Sequence, residues 1–191
     1  MIEARLKALP PPLAADDILM AALDHWVGIY DGAALPGAEL IDPLALPRSI
    51  LPFVVLVDLE GDRVFFRLVG TAMCERWGFD FTGKHLDEIM TGEYAAYITS
   101  LFHRCRATSL PLFAESRFRW DLGRALWTRR LFLPYLRRPE QRIRVMVVQT
   151  FSGDEPNGGQ SLFSLAPTHW EPYNEPVVLS CIREPESKPP A

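Results

Sequence analysis

Phe53–Ile89 reads FVVLVDLEGDRVFFRLVGTAMCERWGFDFTGKHLDEI. Two apolar runs, Phe53–Leu59 and Arg63–Val69, flank the turn residues Glu60, Gly61 and Asp62, which is a hairpin signal. In the second run Val64, Phe66 and Leu68 alternate with Arg63, Phe65 and Arg67, so one face is apolar and the other mixed. Gly70 and Thr71 then open a short helical segment ending at Trp77, and Thr82-Gly83-Lys84 turns the chain into another short helix. The stretch describes a scaffold and names no reaction.

Upstream, Ala8–Leu13 is proline-rich, and Asp16 has the features of an N-cap, with Asp17 in the first turn complementing the helix dipole. Leu19, Leu23, Trp26 and Tyr30 recur at helical spacing and predict an amphipathic helix of roughly four turns. Its apolar stripe must cover either the outside of the sheet or the same helix in a second subunit. Gly32–Pro52, with four prolines, is an irregular connector.

Downstream, Glu93–Ala107 predicts a long helix with a buried stripe of Tyr94, Tyr97, Ile98, Leu101, Phe102 and Cys105. Three strands follow. In Leu112–Trp120, the set Leu112, Ala114, Ser116, Phe118 and Trp120 alternates with Glu115, Arg117 and Arg119. Ala125–Leu136 is the second, with pairing expected to weaken at Pro134. In Arg142–Phe151, Ile143, Val145 and Val147 face one side and Met146 and Val148 the other. An apolar outer face needs a cover, and the N-terminal helix is the candidate. Ser152–Ser161 is a linker, Leu162–Leu165 and Val177–Ile182 are apolar enough to pair or dock, and Glu184–Ala191 is expected to be disordered. The domain reading is an N-terminal extension over 1–40, a domain over 41–151 and an acidic C-terminal extension over 152–191.

The bulk numbers are those of a globular chain: 191 residues, 48% hydrophobic and 23% charged. No apolar run approaches the roughly 20 residues that span a bilayer. The start lacks the layout of a signal peptide, so the expected location is cytoplasmic and no membrane partner is expected. The net charge of −4 hides a basic strip: residues 117–144 carry nine arginines against Asp121 and Glu140. Arginines on the solvent face of a sheet would account for it, as would cover from the acidic C-terminal segment or an acidic partner. Nucleic acid is not expected, because the whole chain is acidic.

Gly78–Lys84 fits the GxxxxGK spacing of a phosphate-binding loop, but follows a helical segment, holds two phenylalanines and an aspartate, and places His85 where a hydroxyl is needed. His25, His85, His103 and His169 form no HxH or HExxH pattern, and Cys74, Cys105 and Cys181 are widely spaced, so no metal site is expected. GxSxG is absent and no catalytic residue is assigned.

The pieces in hand resemble the PAS fold and, more narrowly, the single-PAS family of alphaproteobacteria labelled PAS_5. The resemblance rests on His25-Trp26, Ile41-Asp42-Pro43, Ile50-Leu51-Pro52, Phe66–Thr71, Thr82-Gly83-Lys84 and Arg130–Pro134, and covers roughly residues 18–151. It implies an α+β fold, with a five-stranded antiparallel sheet, helices across one face and a small apolar space between them. The pocket candidates are Phe66, Leu68, Met73, Trp77, Phe118 and Trp120; Leu19, Leu23, Trp26 and Tyr30 are the dimer or sheet-cover candidates. Familiar PAS cofactors fit poorly. The photoreactive flavin type needs a cysteine where this chain has Lys84-His85-Leu86, and a haem ligand is disfavoured because His103 falls on the polar face of the long helix. The implied function is a cytoplasmic sensory or regulatory module, a candidate homodimer, acting on a protein partner and taking a small apolar ligand. The alternatives are a small enzyme with a cavity active site and a ligand-free structural adaptor.

Overall fold

A computed structural model describes residues 9–32, 34–120, 124–138, 140–153, 162 and 170–180. The apolar runs of the opening stretch form β1 (Val54–Glu60) and β2 (Arg63–Val69), an antiparallel hairpin. Short helices α3 (Thr71–Trp77) and α4 (Leu86–Ile89) follow, then the long α5 (Gly92–Thr108). Three strands complete the core of the sheet: β3 (Leu112–Trp120), β4 (Arg124–Arg137) and β5 (Arg142–Gly153). Ahead of the hairpin lie the single-turn α1 (Pro11–Ala14) and α2 (Asp17–Ile29). α3 stops where Gly78 takes φ 88°, a left-handed conformation that favours glycine.

The sheet has six strands in the order β2-β1-β5-β4-β3-β6, one more than expected. The extra strand, β6 (Trp170–Val178), comes from the acidic C-terminal segment and pairs antiparallel with β3. Left bare, β3 would present an unpaired edge. Charge assists the pairing: Glu171 on β6 pairs with Arg117 and Arg119 of the basic strip.

Every central strand is apolar on both sides, so the sheet carries two separate cores. One face buries Val55, Val57, Phe66, Leu112, Phe132, Val145 and Val147 under α3, α4 and α5. The other buries Val54, Leu131, Leu133, Tyr135, Met146 and Val148 under α2. The predicted stripe of α2 lies on the chain's own sheet: Leu19, Leu23 and Trp26 are buried, and Tyr30, half-buried, stacks on Trp26 at 4.7 Å. It is therefore not free to form a surface for a second copy.

Polar contacts fix α2 at both ends. Asp16 caps it by accepting from Leu19 N–H at 3.2 Å, and its other oxygen accepts from Thr150 on β5 at 2.6 Å. Near the far end Trp26 Nε1 donates to Pro134 O at 2.9 Å. Contrary to expectation, β4 does not weaken at Pro134, and pairing with β5 continues to Arg137–Arg142. Leu136 N–H points away from β5, to Pro36 O at 2.9 Å. Pro134, two residues earlier, faces the same way. Its missing N–H therefore lies beyond the start of β3, and its carbonyl is free for Trp26.

Leu68 is a further correction. Leu56 pairs with Leu68 but Val57 pairs with Phe66, so Arg67 is an extra, bulged residue in β2. The bulge reverses the alternation. Val64 and Phe66 face the core, whereas Leu68 turns out to 41% exposure.

Most of the basic strip does lie at the surface or in ion pairs. Asp58, on the α2 face of β1, accepts from Arg144 at 2.7 and 2.9 Å and from Arg137 at 3.0 Å. Among the described side chains of the strip Arg130 is the exception and is buried on the other face.

These placements predict opposite outcomes for two leucines. Leu23→Asp places a carboxylate between α2 and the sheet and is expected to cost about 3 kcal/mol or more in denaturant unfolding. Leu68→Asp, though the alternation expects it in the core, should cost less than about 1 kcal/mol. Equal losses at the two positions would contradict the bulged register.

Candidate functional site

Between the inner face of the sheet and the helices lies a cavity of about 60 Å³. Val55, Phe66, Phe132 and Val147 form its floor. Met73 and Trp77 from α3, Leu86 from α4, and Ile98 and Phe102 from α5 form its roof. Phe79, Ile89 and Met90 are the lining residues that are only half-buried, which puts the mouth beside α4. The short α3 and α4, joined by loops, roof this side together with the longer α5.

Of the sequence candidates, Phe66, Met73 and Trp77 lie in the lining. Phe118 stands just behind it, in an aromatic cluster with Trp77 at 6.4 Å and Tyr94 at 5.6 Å. Trp170 of β6 joins that cluster, 5.1 Å from both Tyr94 and Tyr97. Leu68 is outside the cavity for the reason given above. The side chain of Trp120 lies outside the described residues, as do Cys181, His169 and the 184–191 tail.

The lining also has one polar corner that the candidate set missed. Arg130 projects from β4 on the same face as Phe132 and is 3% exposed. Its guanidinium donates to Gln149 Oε1 at 3.1 Å, to Ser116 Oγ at 2.9 Å and to Tyr94 Oη at 2.8 Å. All three acceptors are uncharged, and among the described residues no carboxylate pairs with Arg130. Its neighbour Arg129 shows the contrast: on the opposite face it meets Glu115 at 3.3 Å and Asp16 at 3.8 Å. Gln149 is 4% exposed, and its Nε2 is buried with no partner.

Tyr94 is held protonated. Burial pushes its phenol up to about 12, against the opposing pull of the Arg130 charge. Burial raises Tyr97 and both described cysteines as well, Cys105 most strongly, so neither thiol is activated as a nucleophile. His103 is half-buried, with Nε2 3.2 Å from Asp62 O at the hairpin turn, and takes no part in the lining. The glycine-lysine loop does not cradle phosphate: Gly83 N–H bonds Phe66 O at 2.7 Å, and Lys84 O accepts from Phe66 N–H at 2.9 Å, which straps the loop along β2. Among the described residues no cluster of His, Cys, Asp and Glu could hold a metal ion.

The raised phenol has a pH consequence. Unfolded, Tyr94 ionises near 10; folded, it keeps its proton to about 12, so between these values the unfolded state binds fewer protons and stability falls as pH rises. The full loss from this group is roughly 2–3 kcal/mol. Denaturant unfolding at stepped alkaline pH should show the decline starting near 10, with a shallower slope in Tyr94→Phe. An unchanged slope in that variant would contradict the burial of the phenol.

Two comparisons bear on identity. No curated protein matches the chain. A family model described as a PAS domain, PAS_5, matches residues 16–149, from the N-cap of α2 to Gln149 in the polar corner. PAS domains are sensory and regulatory modules, and among the described residues no helix is long and apolar enough to cross a membrane. The match spans well over half of the chain, which belongs to the PAS_5 family of PAS domains.

Proposed function

We infer that this protein is a cytoplasmic sensory or regulatory module that takes a small, mainly apolar ligand in the inner-face cavity and acts by contact with a protein partner. The observation that carries this reading is the cavity of about 60 Å³ in a domain whose other face is closed by its own helix. A sensor needs a space that a ligand can enter and an envelope that responds when it is filled. The half-buried mouth residues and the short α3 and α4 supply both. Aromatics reach the cavity wall without filling it, which argues against a ligand-free adaptor.

An enzyme would need ionisable groups converging in the space, with pKa values set apart for acid and base roles. Here the polar corner offers one permanent cation and one phenol held protonated, which is a recognition set and contains no proton acceptor for catalysis. Flavin and haem remain disfavoured by the sequence at the α4 turn and by the position of His103.

Native mass spectrometry of the protein purified from its own host tests the reading. A retained small molecule is expected, and it should be lost in Ile98→Phe, which extends a roof side chain into the space. Protein that is empty in every preparation would favour the adaptor.

A further inference from the structure

The cavity's polar corner is rich in donors and poor in acceptors. A guanidinium has five N–H donors. Three are accepted by Gln149, Ser116 and Tyr94, and the remaining two meet no acceptor among the described residues. The Gln149 Nε2 donors are also unmatched. The orientation of that amide follows from its partner: Oε1 accepts from Arg130, and a flipped amide would set its NH₂ against the guanidinium. Tyr94 Oη already accepts from Arg130, so its proton points elsewhere. A buried charge with only neutral partners and unused donors lacks its counter-ion. Everything else in the lining is apolar.

Building on the reading that the cavity takes a ligand, we propose that the ligand is a small apolar monocarboxylate, its carboxylate on Arg130 and the Gln149 amide and its hydrocarbon body against Phe66, Met73, Phe102 and Val147. One cation calls for one negative charge; a phosphate dianion would bring a second charge into an apolar space with nothing to meet it. Charge-assisted bonds from a planar fork suit a carboxylate. Size narrows the class further. At roughly 10–15 Å³ per water-sized group, about 60 Å³ takes on the order of five such groups. A short-chain acid of three or four carbons fits that space; a ring acid or a long-chain fatty acid does not.

Calorimetric titration of the full chain with two acids, propanoate and butanoate, and their neutral counterparts, propanol and butanol, tests the proposal. The acids are expected to bind about 30-fold more tightly than the neutral compounds. Arg130→Gln should abolish that preference while leaving butanol binding in place. Gln149→Met should weaken the acids alone by about 5-fold, and it gives a reading if Arg130→Gln does not fold. Equal affinity for acids and neutral compounds, or an acid preference that persists in folded Arg130→Gln, would overturn the carboxylate assignment and leave the cavity reading standing. Failure of both classes to bind would remove the cavity reading and the proposal together.

Discussion

The sheet is apolar on both faces, and most of the structure follows from that constraint. Val145 and Val147 of β5 need a cover on one side, and Met146 and Val148 need one on the other. A chain of this size has few elements to supply the two layers. The long α2 closes the outer face, held by Asp16 to β5 at its start and by Trp26 to the Pro134 carbonyl near its end. What remains for the inner face is one long helix and two short ones. Their packing leaves a space.

Sealed on one face and hollow on the other, the domain offers a place for a ligand on its inner face. Arg130 gives that place a chemical character. Its neighbours on β4 show how the strand sorts its residues: Arg129 turns to the outer face and finds carboxylates, whereas Arg130 turns inward and, among the described residues, finds neutral acceptors. Tyr94 reaches Arg130 from α5, Ser116 from β3 and Gln149 from β5, so the corner joins three strands to the helix that roofs them. A ligand seated there would touch the sheet and the helices that roof it together, which is the coupling a regulatory module requires.

Much of this was legible in the residues. The hairpin, the cap at Asp16, the buried stripe of α5 and the opposed faces of β5 all follow from periodicity, and the candidates Phe66, Met73 and Trp77 lie in the lining. Leu68 was not, because a one-residue bulge at Arg67 leaves no mark in an alternating pattern and yet turns every later side chain over. Arg130 was missed for a different reason. Within a strip of nine arginines it was read as one more solvated charge, although Leu131, Leu133 and Tyr135 already mark the other face of β4 and so assign Arg130 and Phe132 inward. Gln149 carried the same signal, as the next residue in the inward series Val145, Val147. Of β6, the pairing tendency of Val177–Ile182 and acidic cover for the arginine strip were legible, but Trp170–Val178 does not name its partner, because that edge belongs to β3, far earlier in the chain.

The central claim is that the inner face receives ligand while the outer face is a closed core. Methyl-resolved NMR during titration with butanoate tests it most directly, because methyl groups line both faces. The account predicts shifts at Val55, Met73, Ile98 and Val147, with Leu19, Leu23 and Met146 unchanged. Shifts confined to the α2 side, or none at the inner-face methyls, would contradict it.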